Sequence, residues 1–247
     1  MNKGLQLKYQ RYAAWSGFLV MIVVGIAFFG LAKVQPPLDP MTSPDGIKEF
    51  LVANRSGILW SVVLISFVVP LEYLFVITTS WQMNRIEGGW GLLSMTQLLT
   101  GVVAPIGFMY PLFVLATAAY RAEERSPEIL SILTDLFYFM YVGFALVFVL
   151  QVIAIGIAVM SDKRTSPIFP RWFGYLNFFL GVVLAPGVFI FVVKEGPLAW
   201  NGLFAFWLPS FAYFLWKVAT PLLLLKAIKT EELELVGAEP VEDASRI

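Results

Sequence analysis

Six side chains in this 247-residue sequence stand where their chemistry clashes with their surroundings. Glu72, Gln97, Asp135, Gln151, Asn177 and Lys217 each interrupt a long apolar run. In hydrocarbon an ionisable group costs at least ~2.5–3.5 kcal/mol on insertion scales, so such residues are kept for a structural or functional reason. A carboxyl group there can hold a proton or pair with a cation, and an amide can hydrogen-bond a ligand or a neighbouring helix. Glu72 and Asp135 are therefore the candidates for proton-transfer catalysis. Gln97, Gln151, Asn177 and Lys217 are the candidates for holding a substrate.

The residue types that are missing narrow the chemistry further. The sequence has no histidine and no cysteine. Bis-histidine haem, zinc sites, thiolate clusters, cysteine nucleophiles and Ser-His-Asp triads are excluded. No phosphate loop, dinucleotide fingerprint or acid-rich diphosphate motif is present. No cofactor and no metal are expected. The formal net charge is zero, which removes the electrostatic footprint of a nucleic-acid partner.

These residues must be positioned by helices that lie in lipid. The sequence is 59% hydrophobic and 14% charged, too little polar surface to cover a water-soluble domain of this length. Six apolar stretches are long enough to cross ~30 Å of hydrocarbon: Ala13–Val34, Ser56–Trp81, Trp90–Ala119, Pro127–Met160, Trp172–Val193 and Leu203–Ile228. The expected fold is an all-α integral membrane protein, one bundle of about six transmembrane helices over residues 1–228. The acidic stretch 229–247 reads as a disordered tail. Lys3, Lys8 and Arg11 precede the first span, which is too long for a signal-peptide core and reads as an uncleaved anchor.

Counting Lys and Arg near the span ends favours both termini inside. Lys3, Lys8, Arg11, Arg85, Lys163, Arg164, Arg171, Lys226, Lys229 and Arg246 then face the cytoplasm, against Lys33, Lys48, Arg55, Arg121, Arg125 and Lys194 outside. A bacterial inner membrane is the expected location. Trp15, Trp60, Trp81, Trp90, Trp172 and Trp200 fall at span ends, as an aromatic belt requires. Ser43 as N-cap, followed by Pro44, Ile47, Phe50 and Leu51, predicts a short interfacial helix in the first outer loop. Pro70, Pro105, Pro111, Pro186, Pro209 and Pro221 lie inside spans, so several helices should be kinked around an interior space.

At 1.5 Å per residue from the inner ends, Glu72, Gln97, Gln151, Asn177 and Lys217 fall about 13, 10, 13, 7 and 16 Å deep. Five spans thus place one polar group each in one inner-half layer, with Glu72 and Lys217 as the natural ion pair. The same layer could serve only to lock helix register. Asp135 belongs nearer the outer end, where Tyr138, Tyr141 and Asn201 could join it in a vestibule.

The string Val69-Pro70-Leu71-Glu72-Tyr73-Leu74-Phe75 resembles the proline-acid-acid-hydrophobic signature of the small membrane-embedded lycopene cyclases. The likeness covers about seven residues of 247, and Tyr73 stands in place of the second acid. It implies an intramembrane carboxylic acid that protonates an isoprenoid.

Three functions fit these residues. The first is a protein that binds or transports a small, mostly apolar molecule or an ion through the inner polar layer, with the lipid bilayer as its setting. The second is an acid-catalysed isoprenoid cyclase or isomerase that uses Glu72. The third is an accessory subunit that packs against a partner or another copy.

Overall fold

The computed structural model describes residues 3–238, and every regular element among them is helical. The α-helices are α1 (Lys3–Gly25), α2 (Pro44–Val68), α3 (Pro70–Glu87), α4 (Leu92–Tyr120), α5 (Pro127–Gly143), α6 (Ala145–Ser161), α7 (Arg171–Leu184) and α8 (Leu208–Ala238). Six helical stretches are long and apolar enough to cross a membrane: Lys3–Leu31, Pro44–Glu87, Leu92–Tyr120, Pro127–Ser161, Arg171–Phe191 and Gly196–Gly237. Large apolar side chains such as Leu19, Phe67, Leu99, Ile132, Val182 and Phe211 face outward. That surface suits lipid and not water, so the chain reads as an integral membrane protein.

Helix ends follow local chemistry. Ser43 caps α2 by accepting from the Gly46 N–H at 3.2 Å, with Pro44 in the first turn. The Glu87 carboxylate accepts from the Leu93 and Ser94 N–H groups at 3.1 and 2.7 Å, which ties the end of α3 to the start of α4. Gly88 between them takes φ +76°, a conformation that side-chained residues avoid. Asp162 is buried and accepts from the Arg164 and Ile168 N–H groups, ordering the turn into α7.

The helix expected as a separate interfacial element begins at Pro44 but does not end in the loop. It continues without a break to Val68 as α2. Ile47 and Leu51 are buried in the protein core, so this face packs on neighbouring helices and not on lipid. The tail expected from residue 229 also begins differently. α8 runs on to Ala238, because Glu231, Glu232 and Glu234 find partners in the bundle. Residues 239–247 lie outside the described residues.

The interior divides into two apolar cores. One gathers Phe28, Ile58, Val69, Leu112, Phe137, Tyr138, Val142, Ile190, Trp200 and Phe206 at the end of the bundle that carries the first long loop. The other gathers Ala14, Phe75, Met83, Ile155, Phe173, Leu184, Trp216 and Leu224 at the end that carries both described termini. Five spans change their helical winding between the two. α1 passes into a π-helix at Ile26–Leu31, and α2 gives way to α3 at Val69. α5 gives way to α6 at Phe144, and α7 tightens into a 3₁₀-helix at Ala185–Phe191. A π-helical stretch, Leu203–Trp207, leads into α8. Pro70, Pro186 and Pro209 sit at these changes, since proline cannot donate the next backbone hydrogen bond. Pro105, Pro111 and Pro221 stay inside continuous helices.

Candidate functional site

α8 presents Ser210, Tyr213 and Lys217 on one face, because they are three and then four residues apart. Lys217 Nζ donates to Glu72 Oε1 of α3 at 2.6 Å. The same ammonium lies 4.3 Å from the centroid of the Phe75 ring, within reach of a cation–π attraction. Only 6% of the lysine side chain and 14% of the glutamate are exposed, so little water screens the pair. Glu72 Oε2 is buried and has no hydrogen-bond partner among the described residues. A carboxylate can accept several hydrogen bonds, and this one leaves an oxygen unused. α1 also reaches the site: Ser16 Oγ donates to the Leu71 carbonyl at 3.1 Å.

The five-residue polar layer resolves into separate groups. Asn177 joins the neighbourhood of the ion pair through Trp216, whose Nε1 donates to Asn177 Oδ1 at 3.0 Å. Asn177 Nδ2 donates to the Phe173 carbonyl at 2.7 Å, so that amide is engaged within the protein. Gln97 is buried and accepts from Ser80 Oγ of α3. Ser80 follows Glu72 by eight residues, about 12 Å along the helix, so this bond belongs to another level. Gln151 is buried, with Nε2 closely packed against Gly101 of α4.

Asp135 stands apart from all of these. It is partly exposed on α5 and makes no hydrogen bond or ion pair within 4 Å among the described residues. Its expected companions are occupied elsewhere. Tyr138 Oη accepts from the Leu38 N–H at 2.8 Å, and Tyr141 Oη accepts from Gln35 Nε2 at 3.2 Å. Trp200, expected as an interface anchor, is 6% exposed; its Nε1 donates to the Leu38 carbonyl at 2.8 Å and its ring stacks on Tyr138. The indole is buried because the first long loop folds over it. These groups fasten that loop to the bundle.

A cavity of about 100 Å³ lies between the two cores. Phe108, Tyr141, Phe148, Phe206, Ser210 and Tyr213 supply its aromatic and hydroxyl lining. Tyr213 links it to the ion pair, because Lys217 follows by one helical turn, ~6 Å. The rings continue beyond the cavity in both directions. Trp200, Tyr138, Phe137, Tyr141, Phe108, Phe148, Tyr213, Trp216 and Phe75 form a ladder with successive centroids 4.8–6.3 Å apart. Sequence reasoning missed this lining. The spacing of Ser210, Tyr213 and Lys217 beside Pro209 was the available signal.

A second polar cluster closes the end of the bundle that carries both termini. Gln82 Nε2 donates to Gln10 Oε1 and to Glu231 Oε2, each at 2.7 Å. Arg85 lies 2.7 Å from Glu234 and 3.8 Å from Glu231, and Arg11 lies 2.6 Å from Glu232. The last turns of α8 are thereby tied to α1 and α3.

No family model matches this chain, and neither a curated protein nor a solved structure is similar to it.

Proposed function

We propose that this protein binds a small, mostly apolar molecule or an ion at the cavity between its two cores, and passes it across the bilayer beside the Glu72–Lys217 pair. The observation that carries this reading is an aromatic cavity bordered by the changes of helical winding in three spans, at Phe144, Ala185–Phe191 and Leu203–Trp207. Interrupted helices at membrane depth free backbone groups that need either protein partners or a cavity, and transport sites are built in this way. In this reading Glu72 and Lys217 provide the charged floor of the site. Asn177 fixes Trp216 beside them, while Gln97 and Gln151 hold α3, α4 and α6 in register. Both termini face the cytoplasm of a bacterial inner membrane, following the distribution of Lys and Arg.

The acid-catalyst reading draws less support. An isoprenoid needs a pocket of roughly 300–1,000 Å³, and the cavity is smaller than that. The Glu72 carboxyl is engaged by Lys217 at 2.6 Å and does not line the cavity.

The absence of cysteine makes the test clean. Ser210→Cys should react with a small water-soluble methanethiosulfonate, since a thiol needs water to form its thiolate. Lys3→Cys should react only from the cytoplasmic side. Failure of Ser210→Cys to react while Glu123→Cys in the α4–α5 loop does so would overturn the cavity reading. Labelling of Lys3→Cys from outside would overturn the orientation.

A further inference from the structure

We infer that the cavity takes a small organic ammonium ion, in the size range from methylammonium to tetramethylammonium. This rests on the cavity being the binding site proposed above, and it names the class of ligand. Five of the lining residues are aromatic, contributed by α4, α5, α6, α8 and the π-helical stretch before α8: Phe108, Tyr141, Phe148, Phe206 and Tyr213. Ring faces carry negative potential, and an aromatic cage is the arrangement that holds ammonium ions without forming a salt bridge. No Lys or Arg lines the space itself, and the nearest ammonium, Lys217, is paired with Glu72.

The negative group nearest along α8 is Glu72, held one turn from Tyr213 by Lys217. Its Oε2 is buried and has no hydrogen-bond partner among the described residues. The protein already holds one ammonium against a ring face, there with a carboxylate beside it. Lys217 Nζ sits between the Glu72 carboxylate and the face of Phe75, the last ring of the ladder that lines the cavity.

Size sets the limit. About 100 Å³ admits a few non-hydrogen atoms, and a long chain would have to extend beyond it. The Ser210 and Tyr213 hydroxyls are oxygen acceptors available to an N–H of a primary ammonium.

The test is thermal melting of the full chain in detergent micelles, read by tryptophan fluorescence, with sodium chloride holding ionic strength constant. Methylammonium and tetramethylammonium chloride should raise the melting midpoint saturably by several degrees. Tetraethylammonium should not. Phe148→Leu removes one ring of the cage while keeping apolar volume, and should raise the half-saturating concentration of tetramethylammonium roughly tenfold. Phe108→Leu does the same with a different ring, should the first variant fail to fold.

If tert-butanol, neutral and of similar size, shifts the midpoint as much as the cations do, the ammonium class is wrong and the binding cavity stands. If the cation shift survives both ring variants unchanged, the ion binds elsewhere and the inference fails. If no probe shifts the midpoint, the cavity is not a binding site, and the proposed function falls with the inference.

Discussion

Lys217 Nζ and Glu72 Oε1 stand 2.6 Å apart, joining α8 to α3. Both charges are mostly buried, so removing one leaves the other without compensation. Glu72→Gln or Lys217→Met alone should each destabilise the protein by about 3–5 kcal/mol. The double variant Glu72→Gln with Lys217→Met should cost clearly less than the sum of the two. A double-mutant cycle in a thermal or denaturant melt checks this, and simple additivity would mean that the groups are not coupled.

Gly57 marks the tightest approach of α2 to the π-helical end of the first span. A Cβ there would lie 2.0 Å from the Leu31 carbonyl oxygen, a backbone atom that no rotamer change can move aside. Gly57→Ala should therefore fall near the upper end of overpacking costs, about 3 kcal/mol, and lower the melting midpoint by several degrees. Gly25→Ala is the control, since nothing lies within 4 Å of its added methyl. It should be neutral or slightly stabilising because alanine favours the helix. Equal midpoints for the two variants would contradict the packing described here.

Arg85 anchors the end of α8 through Glu234 and Glu231, with its own side chain 14% exposed. Arg85→Gln should loosen that anchor and raise amide hydrogen exchange across 229–238 by about tenfold, while exchange in the middle of α8 stays slow. Hydrogen-exchange mass spectrometry reads this directly. Unchanged exchange across 229–238 would show that the ion pairs do not hold the helix end.

Much of the fold was legible because lipid leaves the backbone few options. The six apolar runs become six apolar helical stretches, and counting residues along Glu72 and Lys217's spans brought the two to matching depth. The amides were harder. Depth alone cannot say that Asn177 turns toward Trp216 or that Gln97 meets Ser80, since this depends on helix rotation, which apolar runs without a polar face leave open. Trp200 was misread because an indole near a span end looks the same in sequence whether it faces lipid or lies beneath a loop. The helical end of α8 was missed for a similar reason. Six acids read as a solvated tail until Arg11, Gln82 and Arg85 appear across from them.

The division of the interior has a consequence for cooperativity. Loop contacts at Leu38 hold one core together, ion pairs at Arg85 hold the other, and the helices joining them change winding in between. The two sets of fastenings share no residue. Local opening should therefore differ between the halves, and weakening the contacts at Leu38 should raise amide exchange around Trp200 more than around Trp216.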